Sequence, residues 1–356
     1  MVKKRIVLFM MALFVLAAFS YGVEDQSDGQ VVVANGKPPV GKVPMSGDIG
    51  DYVEGVVDDP VHDPALFKDN GTYYVASTGI ARTPDDPGGI YLRKSNGTIG
   101  GPWEAIGEVP APDWVQSYGV SHLWAPDVVK KGNTFYLYYA VSTFGTNRSA
   151  IGVATTRTPE DPESWIDKGP VLTSTPGQEQ YNAIDPMVFH DNGKWWLVFG
   201  SHFSGIHLQE LQNMTTPTGP VYTLASRAST TEHNAIEAPT IFKKGDYYYL
   251  VTSWDRCCAG LSSTYKIAVG RSESITGPYV DQNGVPLIEG GGEVILGNLD
   301  NQIGPGGQDF LKDRGIDYMV HHYYDGNAGG IIRMQIWGVS WRDGWPYLEK
   351  KPSKSS

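Results

Sequence analysis

The chain has 356 residues, with 28 Lys and Arg against 39 Asp and Glu, a formal net charge of −11 and two cysteines. An acidic chain without a basic cluster is a poor partner for nucleic acid or an anionic membrane surface. The cysteines are adjacent, at Cys257 and Cys258, and cannot supply the disulfide framework of a small secreted domain. A buried apolar core must therefore stabilise the fold.

The N-terminus has the pattern of an export signal. Three cations at residues 3–5 precede an apolar run over residues 6–19, and small residues follow. This pattern predicts a signal peptide over residues 1–22. The apolar run is shorter than the roughly 20 residues that a membrane-spanning helix needs, which disfavours a retained anchor. The mature protein is therefore predicted to be secreted and extracellular, or periplasmic in a Gram-negative host, and free of the membrane after cleavage.

The rest of the chain divides into three segments. Residues 23–55 are rich in Gly and Pro and are predicted to form a linker or arm. Residues 56–348 are predicted to form one folded domain. Residues 349–356, "EKKPSKSS", are predicted to be a frayed tail.

The predicted domain repeats one β-hairpin five times. Each copy is a short strand, a polar turn with glycine, and an aromatic strand. The copies are "HDPALFKDNGTYYVAST" from His62, "APDVVKKGNTFYLYYAVST" from Ala125, "IDPMVFHDNGKWWLVFGSH" from Ile184, "EAPTIFKKGDYYYLVTSW" from Glu237 and "GQDFLKDRGIDYMVHHYY" from Gly307.

The spacing of these copies predicts the fold. Prolines 64, 126, 186 and 239, with Gln308 in the fifth copy, recur about every 60 residues without a helical pattern between them. Radially repeated four-stranded sheets fit this period, so we predict an all-β, five-bladed β-propeller with its active site in the central funnel. A two-sheet sandwich is the main alternative, but sandwiches rarely repeat their sequence so regularly.

Three acids stand immediately ahead of the first strand of a hairpin: Asp63, Asp185 and Glu237. If each blade begins with its innermost strand, these acids converge on the propeller axis. Asp127 lies further along its repeat and is expected to be structural. An Asp beside proline is often a turn-former, but Glu is a poor turn residue and Glu237 lies among small apolar residues.

This arrangement indicates a particular chemistry. Burial and a neighbouring carboxylate favour the protonated form of a carboxyl group, which can then act as an acid near neutrality. Hydrolysis of a glycosidic bond needs two carboxyl groups, one to protonate the leaving oxygen and one to activate water or attack the sugar. A third, near the acid, would tune it.

Five motifs, "HDP", "LWAPDV", "YNAIDP", "AIEAP" and "HHYYDG", closely resemble glycoside hydrolase family 43, in particular its endo-acting arabinanases, which cut α-1,5-linked arabinan. The resemblance covers residues 55–347. It implies a five-bladed propeller and an inverting mechanism on a polysaccharide substrate, with Asp63 as general base and Glu237 as general acid. Asp185 would tune the pKa of the acid and orient it. We expect a monomer.

The same resemblance implies a calcium ion in the central channel, held by waters and a histidine, with no organic cofactor. His322 best matches that histidine, although His321 stands beside it. Calcium prefers oxygen ligands, so waters would have to complete its coordination.

For the substrate, the resemblance implies stacking on Trp124 and Phe144 and polar contacts from Asn182 and Ser201 near the cleaved sugar. The chain departs from the family at "GSHFSGI", where the arabinanases usually have Phe and Trp at the positions of His202 and Phe203. This departure leaves the shape of the subsites and the preferred product length open, while the three acids are untouched.

Two other functions compete with an endo-arabinanase. An exo-acting α-L-arabinofuranosidase or β-xylosidase could use the same propeller, but such relatives often carry an additional β-sandwich, and this sequence ends soon after the fifth repeat. A non-catalytic glycan-binding propeller would not need three acids at strand starts. The adjacent cysteines could form a strained disulfide or remain thiols.

Overall fold

The computed structural model describes residues 59–348, and nearly all of their regular structure is β-strand. The predicted signal peptide, linker and tail lie outside the described residues. None of the helices within residues 59–348 is long and apolar enough to cross a membrane.

Five antiparallel sheets follow one another along the chain, as predicted for a five-bladed propeller. Blade 1 contains β1 (Ala65–Asp69), β2 (Thr72–Ser77), β3 (Ile90–Asn96) and β4 (Glu104–Val109). Blade 2 contains β5 (Trp124–Lys131), β6 (Thr134–Ser142), β7 (Ser149–Thr156) and β8 (Ile166–Ser174). Blade 3 contains β9 (Met187–Asp191), β10 (Lys194–Phe199), β11 (Ile206–Asn213) and β12 (Thr216–Ala225). Blade 4 contains β13 (Ile236–Lys244), β14 (Tyr247–Trp254), β15 (Lys266–Ser272) and β16 (Glu293–Leu296).

Blade 5 departs from the predicted four strands. Its sheet contains β17 (Gln302–Asp313), β18 (Ile316–Asp325) and β19 (Ile331–Gly338), and the chain then forms a separate hairpin of β20 (Ser340–Arg342) and β21 (Trp345–Tyr347). The backbone N–H of Val61 donates to the carbonyl of Ile332 at 3.2 Å, which links the segment before blade 1 to β19. Short 3-10 helices occupy some connections: Asp113–Tyr118, Pro162–Ser164, Glu232–Asn234, Gly260–Ser262, Leu287–Glu289 and Gly326–Ala328.

The apolar core consists of five clusters, one between each pair of neighbouring blades. Alternate residues of one strand serve two clusters, because successive side chains point to opposite faces. On β6, Tyr139 packs towards blade 1 and Tyr138 towards blade 3. The fifth cluster joins Val75 of blade 1 to Val320 of blade 5 and closes the ring.

The first strand of each blade is the innermost one. β1, β5, β9, β13 and β17 contact one another in that cyclic order. Each is joined to an aromatic strand by a tight turn; in blades 1 and 3 the turn residues are Asn70-Gly71 and Asn192-Gly193, all with positive φ. Such Asn-Gly pairs suit two-residue hairpins whose twist matches that of the strands. The starts of the five hairpins therefore meet at the axis.

Candidate active site

The backbone bends in the same way at the inner end of every blade. The residue ahead of each repeated proline, or ahead of Gln308, has a left-handed conformation. These residues are Asp63, Ala125, Asp185, Ala238 and Gly307, with φ of 50°, 38°, 54°, 49° and 57°. In blades 2, 4 and 5 the strand pairing also shifts register here, as at a β-bulge. Bulges re-aim neighbouring side chains and are frequent beside active sites.

These bends surround one pocket on the axis, which is open to solvent. Each blade contributes its left-handed residue and the one or two residues that follow it in the chain. The lining consists of Asp63, Pro64, Ala125, Pro126, Asp127, Asp185, Pro186, Met187, Ala238, Pro239, Thr240, Gly307, Gln308 and Asp309.

The three acids do not share one register, contrary to the sequence interpretation. Asp63 and Asp185 hold the left-handed position ahead of the first strand, whereas Glu237 lies one residue earlier and inside β13. Its equivalent in blade 2 is Trp124. The pairing of β13 with β14 shifts register between Glu237 and Thr240, as at a β-bulge. Blade 4 therefore carries its acid one residue before its left-handed residue.

Asp63 lies among hydrogen-bond donors. His62 Nδ1 is 2.7 Å from Oδ2, and the Thr78 hydroxyl donates to the same oxygen at 2.6 Å. The Asp63 N–H donates to His322 Nδ1 at 3.1 Å, and that nitrogen is 3.5 Å from Oδ1. His62 and Thr78 therefore hold Oδ2 of the carboxylate, and His322 holds the backbone of Asp63.

The neighbours of Asp63 also set its charge. Burial alone would raise the pKa of Asp63, but the charge and hydrogen bond of His62, then His322 and Thr78, lower that pKa well below its usual range. Burial opposes a charge on His62, yet Asp63 raises the pKa of the ring well above its usual value. Asp63 is therefore an ionised carboxylate paired with a cationic ring near neutrality.

Glu237 has a different environment. The Ser201 hydroxyl donates to its Oε2 at 2.7 Å, and His202 Nε2 is 3.7 Å from the same oxygen. The Glu237 side chain is 15% exposed. Ser201, predicted to contact the sugar, is buried with its hydroxyl engaged by Glu237, which places it to hold that carboxyl group.

Asp185 is next to Glu237 in space. Its Oδ2 accepts the backbone N–H of Ala238, the residue after Glu237, at 2.9 Å. Burial, followed by the charges of Glu237 and Asp63, raises the pKa of Asp185 well above its usual value. Asp185 thus keeps its proton at a pH where an isolated aspartic acid has lost its own.

The predicted stacking residues lie together. The rings of Trp124 and Phe144 are 6.3 Å apart at 74°, an edge-to-face contact. Phe144 is 83% exposed, and Trp124 is half-buried beside the pocket-lining Ala125. The buried indole Nε1 of Trp124 finds no hydrogen-bond partner in the described part of the chain. An aromatic surface therefore borders the pocket.

Asn182 lies on the segment leading to Asp185. It is 5% exposed, and its Oδ1 accepts the Ser149 hydroxyl at 2.6 Å. Its carbonyl accepts the N–H of Ile184 at 3.0 Å. These bonds support the approach to Asp185, and a sugar contact from Asn182 stays a prediction.

The two adjacent histidines of β18 differ in their hydrogen-bond partners. His321 donates from Nδ1 to the carbonyl of His322 at 2.9 Å and accepts the indole N–H of Trp337 at 3.0 Å, and burial lowers its pKa to about 4. His322 is buried, but its Nε2 has no hydrogen-bond partner within residues 59–348. Burial, followed by the charge of His62, also lowers the pKa of His322, so the ring is neutral. A neutral ring with an orphaned nitrogen fits contact with a hydrated ion.

Asp127 connects neighbouring blades, in agreement with the structural role expected for it. Its Oδ2 accepts the N–H of Val188 in blade 3 at 2.8 Å. Asp309 makes the equivalent bond from blade 5 to Leu66 of blade 1 at 2.7 Å. Burial raises the pKa of both carboxyl groups. These acids tie the inner strands together around the channel.

Sequence reasoning missed several contacts of the acids. His62 belongs to the quoted "HDP" motif but received no role, although it directly precedes Asp63. Thr78 received no role either, and it reaches Asp63 from the end of β2 through the fold. Tyr324, part of the quoted "HHYYDG" motif, lies beside His62 and was also given no role. The sequence left the state of Cys257 and Cys258 open, and in the structure both are free thiols beside His62.

The comparisons with known proteins agree on one family. The model described as glycosyl hydrolases family 43 matches residues 52–346. The chain is 40% identical over 297 residues to an extracellular endo-alpha-(1->5)-L-arabinanase 1 of Bacillus subtilis (strain 168), covering 82% of this chain and 88% of the relative.

Two solved structures are similar at the level of the fold. An exo-1,5-alpha-L-arabinanase from a bovine ruminal metagenomic library has a TM-score of 0.75 and 40% identity, over 83% of this chain and 98% of its own. An endo-arabinanase from Bacillus licheniformis has a TM-score of 0.74 and 41% identity, over 82% of this chain and 98% of its own. Similarity of this degree to both kinds does not separate endo from exo action.

Proposed function

Because the chain belongs to glycosyl hydrolases family 43, we propose that it cleaves internal α-1,5-L-arabinofuranosidic bonds of arabinan by single-displacement inversion. One observation carries the mechanism: Asp63 and Asp185 line the axial pocket from two blades in contrasting electrostatic environments, and Glu237 lies next to Asp185 on a third blade. The substrate class rests on the relatives, which are named as arabinanases.

Asp63 is proposed as the general base. It is ionised and held by His62 and Thr78, so it is oriented to take a proton from a water that attacks the anomeric carbon. Its low pKa keeps the base form populated in mildly acidic surroundings.

Glu237 is proposed as the general acid, which protonates the leaving oxygen. Ser201 holds its carboxyl group, and the buried Asp185 next to it has a raised pKa. In an inverting enzyme the acid and base stand roughly 6.5–9.5 Å apart to admit the water. The hydrogen bond from Ala238 to Asp185 orients the third acid beside this reaction centre.

Substrate binding is proposed along the Trp124–Phe144 surface. A stacked aromatic contributes about 0.5–1.5 kcal/mol beyond its buried area, and sugar stacking is of that order. The high exposure of Phe144 suits a groove that accepts a continuing polysaccharide chain, which supports endo action. An exo-acting arabinofuranosidase is the second candidate, because one of the similar structures is an exo-arabinanase.

Calcium is proposed as the channel ion, which His322 and waters would hold. Bound there, the ion would supply positive charge near Asp63. Secretion is also proposed: the N-terminal export pattern supports it, and the Bacillus subtilis relative is named extracellular. A monomer stays a prediction.

The test is digestion of linear α-1,5-arabinan, with product lengths followed over time and the configuration of new ends followed by proton NMR. Early oligosaccharides of mixed length with β ends support the inverting endo mechanism. Arabinose alone from the outset would transfer the assignment to exo action, and retained α ends would overturn inversion. Binding of arabinan without any new reducing ends would indicate the glycan-binding alternative.

A further inference from the structure

Three polar groups converge on a single nitrogen at the edge of the pocket. Cys257 Sγ is 3.6 Å and Cys258 Sγ 3.8 Å from His62 Nε2, and the Tyr324 hydroxyl is 3.4 Å from it. The sulfurs are 195 and 196 residues away from His62 in sequence. A ring nitrogen carries one proton or one lone pair, so one hydrogen bond cannot satisfy all these neighbours.

The distances suit a metal ion instead. Zinc binds thiolate at about 2.3 Å and imidazole at about 2.0–2.1 Å in tetrahedral sites, which puts bound nitrogen and sulfur atoms about 3.5–3.6 Å apart. The observed separations are 3.6 and 3.8 Å, and the three ligand atoms lie within 4.8 Å of one another. We propose that His62, Cys257 and Cys258 form a binding site for a thiophilic divalent ion such as zinc, separate from the predicted calcium site.

The cysteine loop is already fixed in position. The N–H of Cys258 donates to the Tyr324 hydroxyl at 3.0 Å, and Cys258 holds a left-handed backbone conformation with φ of 60°. Ala259 N–H donates to the Ser263 hydroxyl at 3.0 Å, which closes the loop from its other side. Cys258 is exposed, so an ion can enter from solvent.

The donor atoms select the kind of metal. Two sulfurs with one imidazole select zinc and other thiophilic ions, while a fourth position stays open to water. Calcium prefers oxygen and does not compete for such ligands.

The site is connected to Asp63 through the ring of His62. Its Nδ1 is 2.7 Å from Asp63 Oδ2, so a metal on Nε2 completes a carboxylate–histidine–metal arrangement. Binding displaces the Nε2 proton, and two thiolates offset the charge of a divalent ion, so the site replaces the cationic partner of Asp63 with a neutral metal complex. The effect of this change on hydrolysis rests on the proposed function of Asp63, whereas binding of the ion does not.

The first test measures binding alone. The full chain, with calcium in excess, is titrated with Co²⁺, which replaces zinc in such sites and gives a thiolate-to-metal charge-transfer absorption. One equivalent with that absorption is expected for the wild type and none for Cys257→Ser/Cys258→Ser. Absence of the absorption in the reduced wild type, or its persistence in the double variant, overturns the site. A count of no free thiols in the protein as isolated also overturns it, because a disulfide would then replace the ligands.

The second test measures hydrolysis with and without zinc in each variant. Zinc is expected to move the acidic limb of kcat/KM of the wild type to higher pH, reversibly on adding a chelator with calcium restored, and to leave that limb of the double variant unchanged. An equal shift in both overturns the coupling. A cobalt signal in a protein with no activity on arabinan would instead remove the proposed function while leaving the metal site intact.

Discussion

Blades 1 and 3 place an aspartate at the same backbone position, yet the two carboxyl groups differ in charge. Asp63 and Asp185 both precede the proline of their blade, with φ of 50° and 54°. Asp63 faces His62 and the Thr78 hydroxyl, and its pKa is lowered. Asp185 faces one backbone N–H and another carboxyl group, and its pKa is raised.

The repeat therefore sets the backbone positions of the two aspartates, whereas the neighbouring groups set the charge of each carboxyl group. The inner strands of a propeller carry equivalent backbone sites to one axis. Whether a carboxyl group there is a base or holds a proton then depends on burial and nearby charge, as in other pairs of catalytic acids. Substitutions near Asp63 and substitutions near Asp185 can therefore test the proposed base and the proposed acid separately.

The largest expected effects follow from removing either acid of the reaction. Glu237→Gln and Asp63→Asn should each lower the rate of arabinan cleavage by about 10²–10⁴-fold, because each removes one proton transfer. Steady-state kinetics on linear arabinan measures both. A wild-type rate in either variant would remove the role assigned to that residue.

An activated substrate distinguishes the two roles. An aryl arabinofuranoside with a very acidic phenol needs no protonation of its leaving group, so the defect of Glu237→Gln should shrink at least tenfold on it. The defect of Asp63→Asn should persist, since water must still be activated. Rescue of both variants, or of Asp63→Asn alone, would contradict the assignment.

Asp185→Asn should affect activity and stability in opposite directions. With a raised pKa, Asp185 favours folding below the ordinary value of about 3.9, and this contribution is lost as the pH rises through the folded-state pKa. Near neutrality a neutral Asn should therefore raise the unfolding midpoint, by about 2–4 °C for each kcal/mol gained. Because Asn cannot carry a negative charge beside Glu237, the substitution should also move the alkaline limb of the pH–rate profile to lower pH.

Asp309→Asn is the matched control for Asp185→Asn. Burial raises the pKa of Asp309 to about 7, but its partner is the backbone of Leu66. It should alter stability without moving the alkaline limb. An equal shift of that limb in both variants would show a general effect of channel charge rather than a role of Asp185.

His62→Gln tests the opposite side of the pocket with a smaller effect. His62 lowers the pKa of Asp63, so its loss should raise that pKa and move the acidic limb of kcat/KM to higher pH, by about one unit or more. Thr78→Val removes one neutral hydrogen bond and should shift the limb in the same direction by less. A shift to lower pH in either variant would contradict the proposed origin of the low pKa.

The five-bladed fold could be predicted because each repeat carries its own signals, a proline, a glycine turn and an aromatic strand. The register of Glu237 could not, since the bulge in β13 depends on pairing with β14. The same limit applies to the hydrogen bond of Ser201 to Glu237, which joins two blades, while a sugar contact from Ser201 stays a prediction. Contacts such as His62 with Cys257 join distant segments, and no local pattern encodes them.

His202→Phe should have the smallest effect of these substitutions. His202 is 36% exposed with its Nε2 3.7 Å from Glu237 Oε2, and solvent-exposed ion pairs contribute only about 0.2–1 kcal/mol. The rate on arabinan should therefore stay within about fivefold of wild type. Because the new ring lies beside the proposed acid, where the leaving sugar must sit, the length distribution of early products should change more than the rate. Unchanged products with a large loss of rate would instead make His202 part of the proton-donating machinery.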